Sequence, residues 1–110
     1  MDRSIERIEH LKGGEGHVFL ERLIGDDVLD QKCKMFANVV VEKGCSLGYH
    51  EHHGESETYY ILSGSGVYRD NDKEYPVSAG DVLVCRSENG HGISNPNAEP
   101  LRFVALIIKG

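Results

Sequence analysis

Glycine is the residue that most constrains how this chain folds. Thirteen of its 110 residues are glycine, nearly twice the average share of about 7%. Between the glycines, β-branched and aromatic residues stand in short runs, and helical periodicity is found only once and briefly. Frequent glycines indicate frequent turns, and the short runs indicate strands. We therefore predict an all-β domain of about eight or nine strands.

The predicted strands lie between turn signals along the chain. They cover residues 17–24, 33–41, 45–52, 58–62, 67–69, 73–77, 82–85 and 101–108, with a turn at 25–27 and a polar loop at 86–90. Pro76 donates no backbone hydrogen bond, so we expect it on an edge strand or at a strand end. Residues 4–11 are the exception: they predict one or two helical turns, with Ser4 as the N-cap and Ile5 and Ile8 on one side.

Length and charge exclude several classes of protein. A chain of 110 residues is one domain in length. The net charge of −6 argues against binding to a phosphate backbone, so no nucleic-acid partner is expected. The chain has no apolar run of about 18 residues and a charged start, so neither a membrane span nor a signal peptide is expected. Cys33, Cys45 and Cys85 form no C-x-x-C pair and are interpreted as reduced thiols of a cytoplasmic protein.

Two histidines suggest a metal site. His50 and His52 are two residues apart on a predicted strand, so both side chains lie on one face. Imidazoles placed in this way can converge on one ion. Glu57 is at an odd offset from His50, which requires a turn within residues 53–56 if the two are to meet. His91, at the end of the polar loop, is a fourth candidate.

The spacing of these residues resembles the first motif of the cupin superfamily. Gly44, His50, His52, Glu57 and Gly64 occupy every defining position of that motif. Because all the spacings agree with one motif, metal binding is favoured over the alternative of surface histidines beside a solvated glutamate.

The second cupin motif is matched in part. Gly80 opens it, and His91 and Asn95 stand at the spacing that the family uses. Where the family usually has Pro-x-Gly, this chain has Arg86-Ser87-Glu88, which leaves the conformation of the loop before His91 open.

The resemblance implies a double-stranded β-helix, or jelly-roll barrel, of two antiparallel sheets with a divalent metal inside. Carried over to this chain, the implied metal ligands are His50, His52, Glu57 and His91. Three imidazoles and one carboxylate suit Mn, Fe, Ni, Zn or Co, and the ligand types do not choose among them.

The resemblance also divides the chain. Residues 33–110 would form the barrel, and residues 1–32 an N-terminal extension packed on it. Tyr60 and Leu62 point away from the metal face, as does Tyr49, and this apolar outer surface favours a homodimer.

The expected ligand is a small oxygenated or carboxylate-bearing molecule held at the metal. The chain would act on it as a decarboxylase, isomerase or dioxygenase, or else bind it without turnover as a sensing module. Whether it is an enzyme stays open, because no general base stands out apart from the ligands. A third class of protein, a scaffold that works without metal, would require the four metal ligands to be vestigial.

We nominate Tyr59, Arg86 and Ile93 for the substrate pocket. The alternatives are that Tyr59 packs in the core and that Arg86 is solvated.

Overall fold

The computed structural model describes residues 4–24 and 32–110. Within them, ten strands and one short 3-10 turn account for the regular structure. The strands are β1 (Ile5–Glu9), β2 (His17–Arg22), β3 (Cys33–Val41), β4 (Ser46–His52), β5 (Glu55–Ser63), β6 (Ser65–Asp70), β7 (Lys73–Ser78), β8 (Val82–Cys85), β9 (Asn89–Ser94) and β10 (Leu101–Lys109). The all-β prediction is confirmed.

The strands form two antiparallel sheets. One has six strands in the order β1-β2-β3-β10-β5-β8, and the other has four in the order β4-β9-β6-β7. Alternate residues of each central strand face inward: Ala37, Val39 and Val41 on β3 are fully buried, as are Leu101 and Phe103 on β10. The core lies between the sheets, as in a jelly roll.

The strands predicted over residues 67–69 and 73–77 form the hairpin of β6 and β7. The strands pair from Ser65 with Ser78 to Asp70 with Lys73, leaving a two-residue loop. Pro76 lies on β7, which is an edge strand of the four-stranded sheet. The missing backbone donor of proline is tolerated there.

The helix predicted over residues 4–11 is wrong. Those residues contain β1, which pairs antiparallel with β2 from Ile5 opposite Glu21 to Glu9 opposite His17. So short a segment gains little as an isolated helix, because nucleation is costly, whereas the edge of β2 satisfies its backbone groups. The predicted strand 17–24 ends at Arg22, and the turn predicted at 25–27 lies outside the described residues. The described part of the chain has no helix long and apolar enough to cross a membrane.

A close backbone contact joins the N-terminal segment to β4. After β1 the chain makes the 3-10 turn (Leu11–Gly13), in which Lys12 has a φ of +54°. A Cβ on Gly14 would overlap the carbonyl of Ser46, and a Cβ on Gly48 would overlap the carbonyl of Lys12. Glycine at both positions lets the 3-10 turn lie directly on β4.

Candidate metal centre

Three strands from both sheets bring the predicted metal ligands together. His50 and His52 face inward from β4, and β9 pairs with β4 so that His91 lies opposite His50. Glu57 enters from β5 in the other sheet. The chain reverses between β4 and β5 at Gly54, whose φ is +71°, and this turn resolves the odd offset of Glu57. His91 was expected at the end of a loop but lies within β9, since the strand begins at Asn89.

The four side chains converge on a small volume. The Glu57 Oε1 atom lies 2.8 Å from His91 Nε2, 3.0 Å from His52 Nε2 and 3.6 Å from His50 Nε2. His52 Nε2 and His91 Nε2 are 3.1 Å apart, and all four donor atoms lie within 4.8 Å of one another. His50 is half-buried and the other three are buried. This cluster is able to hold one divalent metal ion.

The outer nitrogen of each histidine ring has a partner that sets the ring's orientation. His50 Nδ1 donates to the carbonyl of Gly48 at 2.8 Å. His52 Nδ1 donates to the Glu55 carboxylate at 2.6 Å. His91 Nδ1 shares a hydrogen bond of 2.8 Å with the Tyr68 hydroxyl. All three Nε2 atoms are thereby directed inward.

These partners also fix which nitrogen carries the hydrogen when two of the rings are neutral. A carbonyl and an ionised carboxylate only accept hydrogen bonds, so Nδ1 carries the hydrogen in His50 and His52. A neutral ring of this tautomer presents the lone pair of Nε2 to the Glu57 carboxylate. Two lone pairs and a negative oxygen facing one point repel one another unless a cation lies between them. Imidazoles held through Nδ1 by a carbonyl or carboxylate are typical of metal sites, so the donor set fits a divalent metal.

The charges of the metal-free cluster follow from burial and hydrogen bonding. Burial alone would raise the pKa of Glu57, but the histidines that face its carboxylate, which donate to it when their Nε2 atoms carry a hydrogen, outweigh burial and hold the pKa well below its usual range. The hydrogen bond with Glu57 raises the pKa of His52 above 6.5, against the opposing effect of burial. Burial lowers the pKa of His91, although Glu57 opposes this effect.

The sign of each shift determines how the metal-free fold depends on pH. Because the folded pKa of His52 is raised, its contribution to stability is fully present below pH 6.5 and is lost as the pH rises through the folded pKa. The pKa of Glu57 is lowered, so its contribution is present above 4.5 and is lost only in acid. Because the pKa of His91 is lowered, protonation of its ring destabilises the fold only below pH 6.5. Above pH 6.5, loss of the His52 proton is therefore the main effect on stability among these three residues.

A cavity of about 420 Å³ leads from the cluster to the surface. His50, His52 and Glu57 line its inner end. Its wall is apolar and its mouth charged; the other lining residues are Ile8, Leu11, Leu20, Met35, Val39, Leu47, Ala105 and Ile107, with Lys12, Arg22, Lys34, Glu51, His53 and Glu55.

The three residues nominated for the substrate pocket do not line this cavity. Tyr59 is buried beside the cluster with its ring stacked on His91, the centroids 4.8 Å apart. Its hydroxyl has no hydrogen-bond partner among the described residues, and its pKa is raised well above the usual range, chiefly by burial. Arg86 is exposed after β8, and Ile93 is buried in the core. Their roles toward a substrate stay predictions.

Sequence reasoning did not find Glu55 and Tyr68, which position two of the histidines. Glu55 is half-buried, and only its place just after the turn at Gly54 brings it to His52. Tyr68 lies on β6, which neighbours β9. The sole signal in the sequence was the inward parity of Tyr68 on its strand, and parity alone does not identify a partner.

Residues 37–107 match the family Cupin_2, described as a cupin domain. The chain belongs to the cupin family. The resemblance carried by the two motifs is thereby confirmed, together with the barrel that it implies. This cupin is 42% identical over 103 residues to an oxalate-binding protein of Thermotoga maritima, a match that spans 94% of this chain and 85% of that protein.

Solved structures show the same fold. A predicted oxalate decarboxylase from Thermotoga maritima superposes with a TM-score of 0.96 at 39% identity, covering 99% of this chain and 95% of that one. A Cupin 2 conserved barrel domain protein from Salinispora arenicola superposes with a TM-score of 0.74 at 25% identity, covering 84% of this chain and 76% of that one. The cupin barrel is thus shared with proteins of differing sequence.

Proposed function

We propose that this cupin binds a divalent transition metal through His50, His52, Glu57 and His91 and holds a small carboxylate on that metal. The observation that carries the proposal is the convergence of three inward Nε2 atoms on one Glu57 oxygen, at 2.8 to 3.6 Å. The set suits Mn, Fe, Ni, Zn or Co. When bound, the metal supplies a Lewis acid that polarises an oxygen ligand.

The net charge of the metal-loaded site favours an anionic ligand. The ionised Glu57 balances one of the two charges of a divalent ion, and the three histidines bind it as neutral rings. One positive charge is then left within a buried site, where a carboxylate compensates it. Lys12 stands at the mouth through which such an anion would enter. The similarity to an oxalate-binding protein agrees with this ligand class.

Binding without turnover is the function that the cavity wall supports best. The acid–base groups other than the cluster lie at the mouth: Glu51 and His53 are exposed, and Glu55 is engaged by His52. A second candidate function is decarboxylation, isomerisation or oxygen insertion on the bound acid. The similarity to a predicted oxalate decarboxylase favours it.

Elemental analysis of protein purified without a histidine tag tests the metal site. We expect about one transition-metal ion per chain, lost in His52→Ala and His91→Ala. His53→Ala is the matched control, because His53 neighbours His52 and its side chain is 60% exposed. Calorimetric titration with oxalate, with and without a chelator, then tests the ligand. Absence of metal from the wild type, with no uptake from added ions, would refute the proposal.

The outer face of the six-stranded sheet supports a homodimer. Tyr60, Leu62, Val82 and Val84 are 48%, 49%, 60% and 52% exposed there, beside a groove of about 490 Å³. Tyr49, expected on the same surface, lies on the other sheet, where the Arg69 guanidinium covers its ring at 3.9 Å. We propose that a second copy covers the six-stranded face; Val84→Lys should then convert dimer to monomer in sedimentation velocity.

The three cysteines are free and buried. Their reduced state is in keeping with the cytoplasmic location that we propose for the protein.

A further inference from the structure

Three apolar side chains in the wall of the cavity are only partly buried. Ile8, Leu11 and Met35 pack against the core without being enclosed by it, and each lines the cavity that leads to the cluster. We call these three residues the collar. They come from β1, the 3-10 turn and β3. An apolar group entering the cavity would complete their burial.

The collar lies outside the part of the chain that defines the family. The cupin domain covers residues 37–107 and therefore includes all four residues of the cluster. Ile8, Leu11 and Met35 precede it. The Gly14 and Gly48 contact fixes the N-terminal segment on β4, so the collar is part of a packed wall.

The dimensions of the cavity exceed those of a small dicarboxylate. At about 420 Å³ it falls within the range of roughly 300–1,000 Å³ typical of pockets for drug-sized ligands. Oxalate has only six non-hydrogen atoms and no hydrocarbon surface. Bound at the cluster, it would leave the collar in contact with water.

The charged mouth does not favour a second anionic group on the ligand. Lys34 Nζ is 3.1 Å from Glu55 Oε1, and Arg22 Nε is 3.5 Å from Glu6 Oε1. Two of the three cations at the mouth therefore already have carboxylate partners. A ligand with one acid group at the cluster and an apolar body matches the wall better than a dicarboxylate.

We propose that the collar selects amphipathic monocarboxylates, such as 2-oxo acids with an aromatic or branched hydrocarbon part, over bare dicarboxylates such as oxalate. This inference rests on the proposed function, since the acid group is held by the metal. The hydrocarbon part lies between Ile8, Leu11 and Met35.

Calorimetric titration of the Mn²⁺-loaded protein with oxalate, pyruvate and phenylpyruvate tests the inference. Pyruvate and phenylpyruvate share the same acid head and differ in the apolar body. We expect phenylpyruvate to bind at least about tenfold more tightly than pyruvate, because the benzyl group buries apolar area against the collar, and more tightly than oxalate.

Two variants on one strand supply the comparison. Ile8→Gln should weaken the binding of phenylpyruvate and bring the ratio of the two affinities towards one. Ile5→Gln is the matched control, because Ile5 is 66% exposed on the same strand and lines the outer groove instead of the cavity. It should keep the ratio. Met35→Gln repeats the test from β3.

The outcomes separate this inference from the proposed function. If oxalate and pyruvate bind only to the metal-loaded protein and phenylpyruvate binds no better, the role of the collar is overturned and the proposed function stands. An unchanged ratio in Ile8→Gln and Met35→Gln overturns the collar as well. If none of the three acids binds the metal-loaded protein, both proposals fall.

Discussion

Replacing Glu55 by alanine tests whether the fixed orientation of the histidine rings controls metal affinity. The Glu55 carboxylate accepts a hydrogen bond from His52 Nδ1 at 2.6 Å, and its other oxygen lies 3.1 Å from Lys34 Nζ. The Glu55 side chain is only 14% exposed, so water replaces it poorly. Without it, His52 is free to rotate and to move its hydrogen to Nε2, the atom that must bind the metal.

The expected loss follows from the lost hydrogen bond. A hydrogen bond to a charged group contributes about 1.5–3 kcal/mol, and loss of a partner that orients a metal-bound histidine weakens metal binding roughly 10–100-fold. The two ranges agree, since a factor of ten corresponds to about 1.4 kcal/mol. We therefore expect Glu55→Ala to raise the metal dissociation constant by about 10–100-fold, and Glu55→Gln to lie between it and wild type.

Competition with a chromophoric chelator at fixed pH measures this constant. Glu51→Ala is the matched control, because Glu51 directly precedes His52 and its side chain is 56% exposed. Lys34→Ala removes the ion pair of Glu55 and leaves the bond to His52. If Glu55→Ala binds metal within about twofold of wild type, the outer hydrogen bonds do not govern the site.

Two further predictions concern pH and backbone packing. As the pH rises above 6.5, the melting temperature of the metal-free protein should fall. The fold favours the protonated form of His52, as its raised pKa shows, and this contribution is lost when the ring loses its proton. With saturating metal the melting temperature should rise with pH instead, since protons and metal compete for that ring. Thermal melts in a His53→Gln background check both trends. If the melting temperature changes with pH in the same way with and without metal, the reasoning is contradicted. Gly48→Ala should lower the free energy of unfolding by about 1–3 kcal/mol, because the added Cβ overlaps the carbonyl of Lys12. Urea titration measures the loss, and an unchanged midpoint would show that the 3-10 turn does not lie on β4.

Strands with one fully buried face were the easiest part to predict. The alternation of Ala37, Val39 and Val41 identified β3 with its observed bounds, because every slip of register would expose the core. β1 carries no such signal, since only Ile8 among its residues is even partly buried. The spacing of Ile5 and Ile8 therefore suggested a helix, and pairing with β2 decided otherwise.

The candidate metal cluster could be predicted from the sequence more readily than its surroundings. His50, His52 and Glu57 are close in the chain, so alternation and one turn relate them. The partners of the rings and the cavity wall depend on contacts between distant segments. Leu11 reaches the cavity only because two glycines let the 3-10 turn lie on β4, and single-sequence reasoning has no access to that contact.

The division of the cluster between the two sheets has a consequence for the lifetime of the folded chain. Three of its residues belong to the four-stranded sheet, and Glu57 belongs to the six-stranded sheet. An ion bound by all four would connect the sheets at the inner end of the cavity, as a reversible cross-link in a protein without disulfides among its described residues. The sheets could then separate there only after the ion had left. Resistance to proteolysis would follow the rate of metal release, and a cell depleted of the metal would clear this protein faster than one that supplies it.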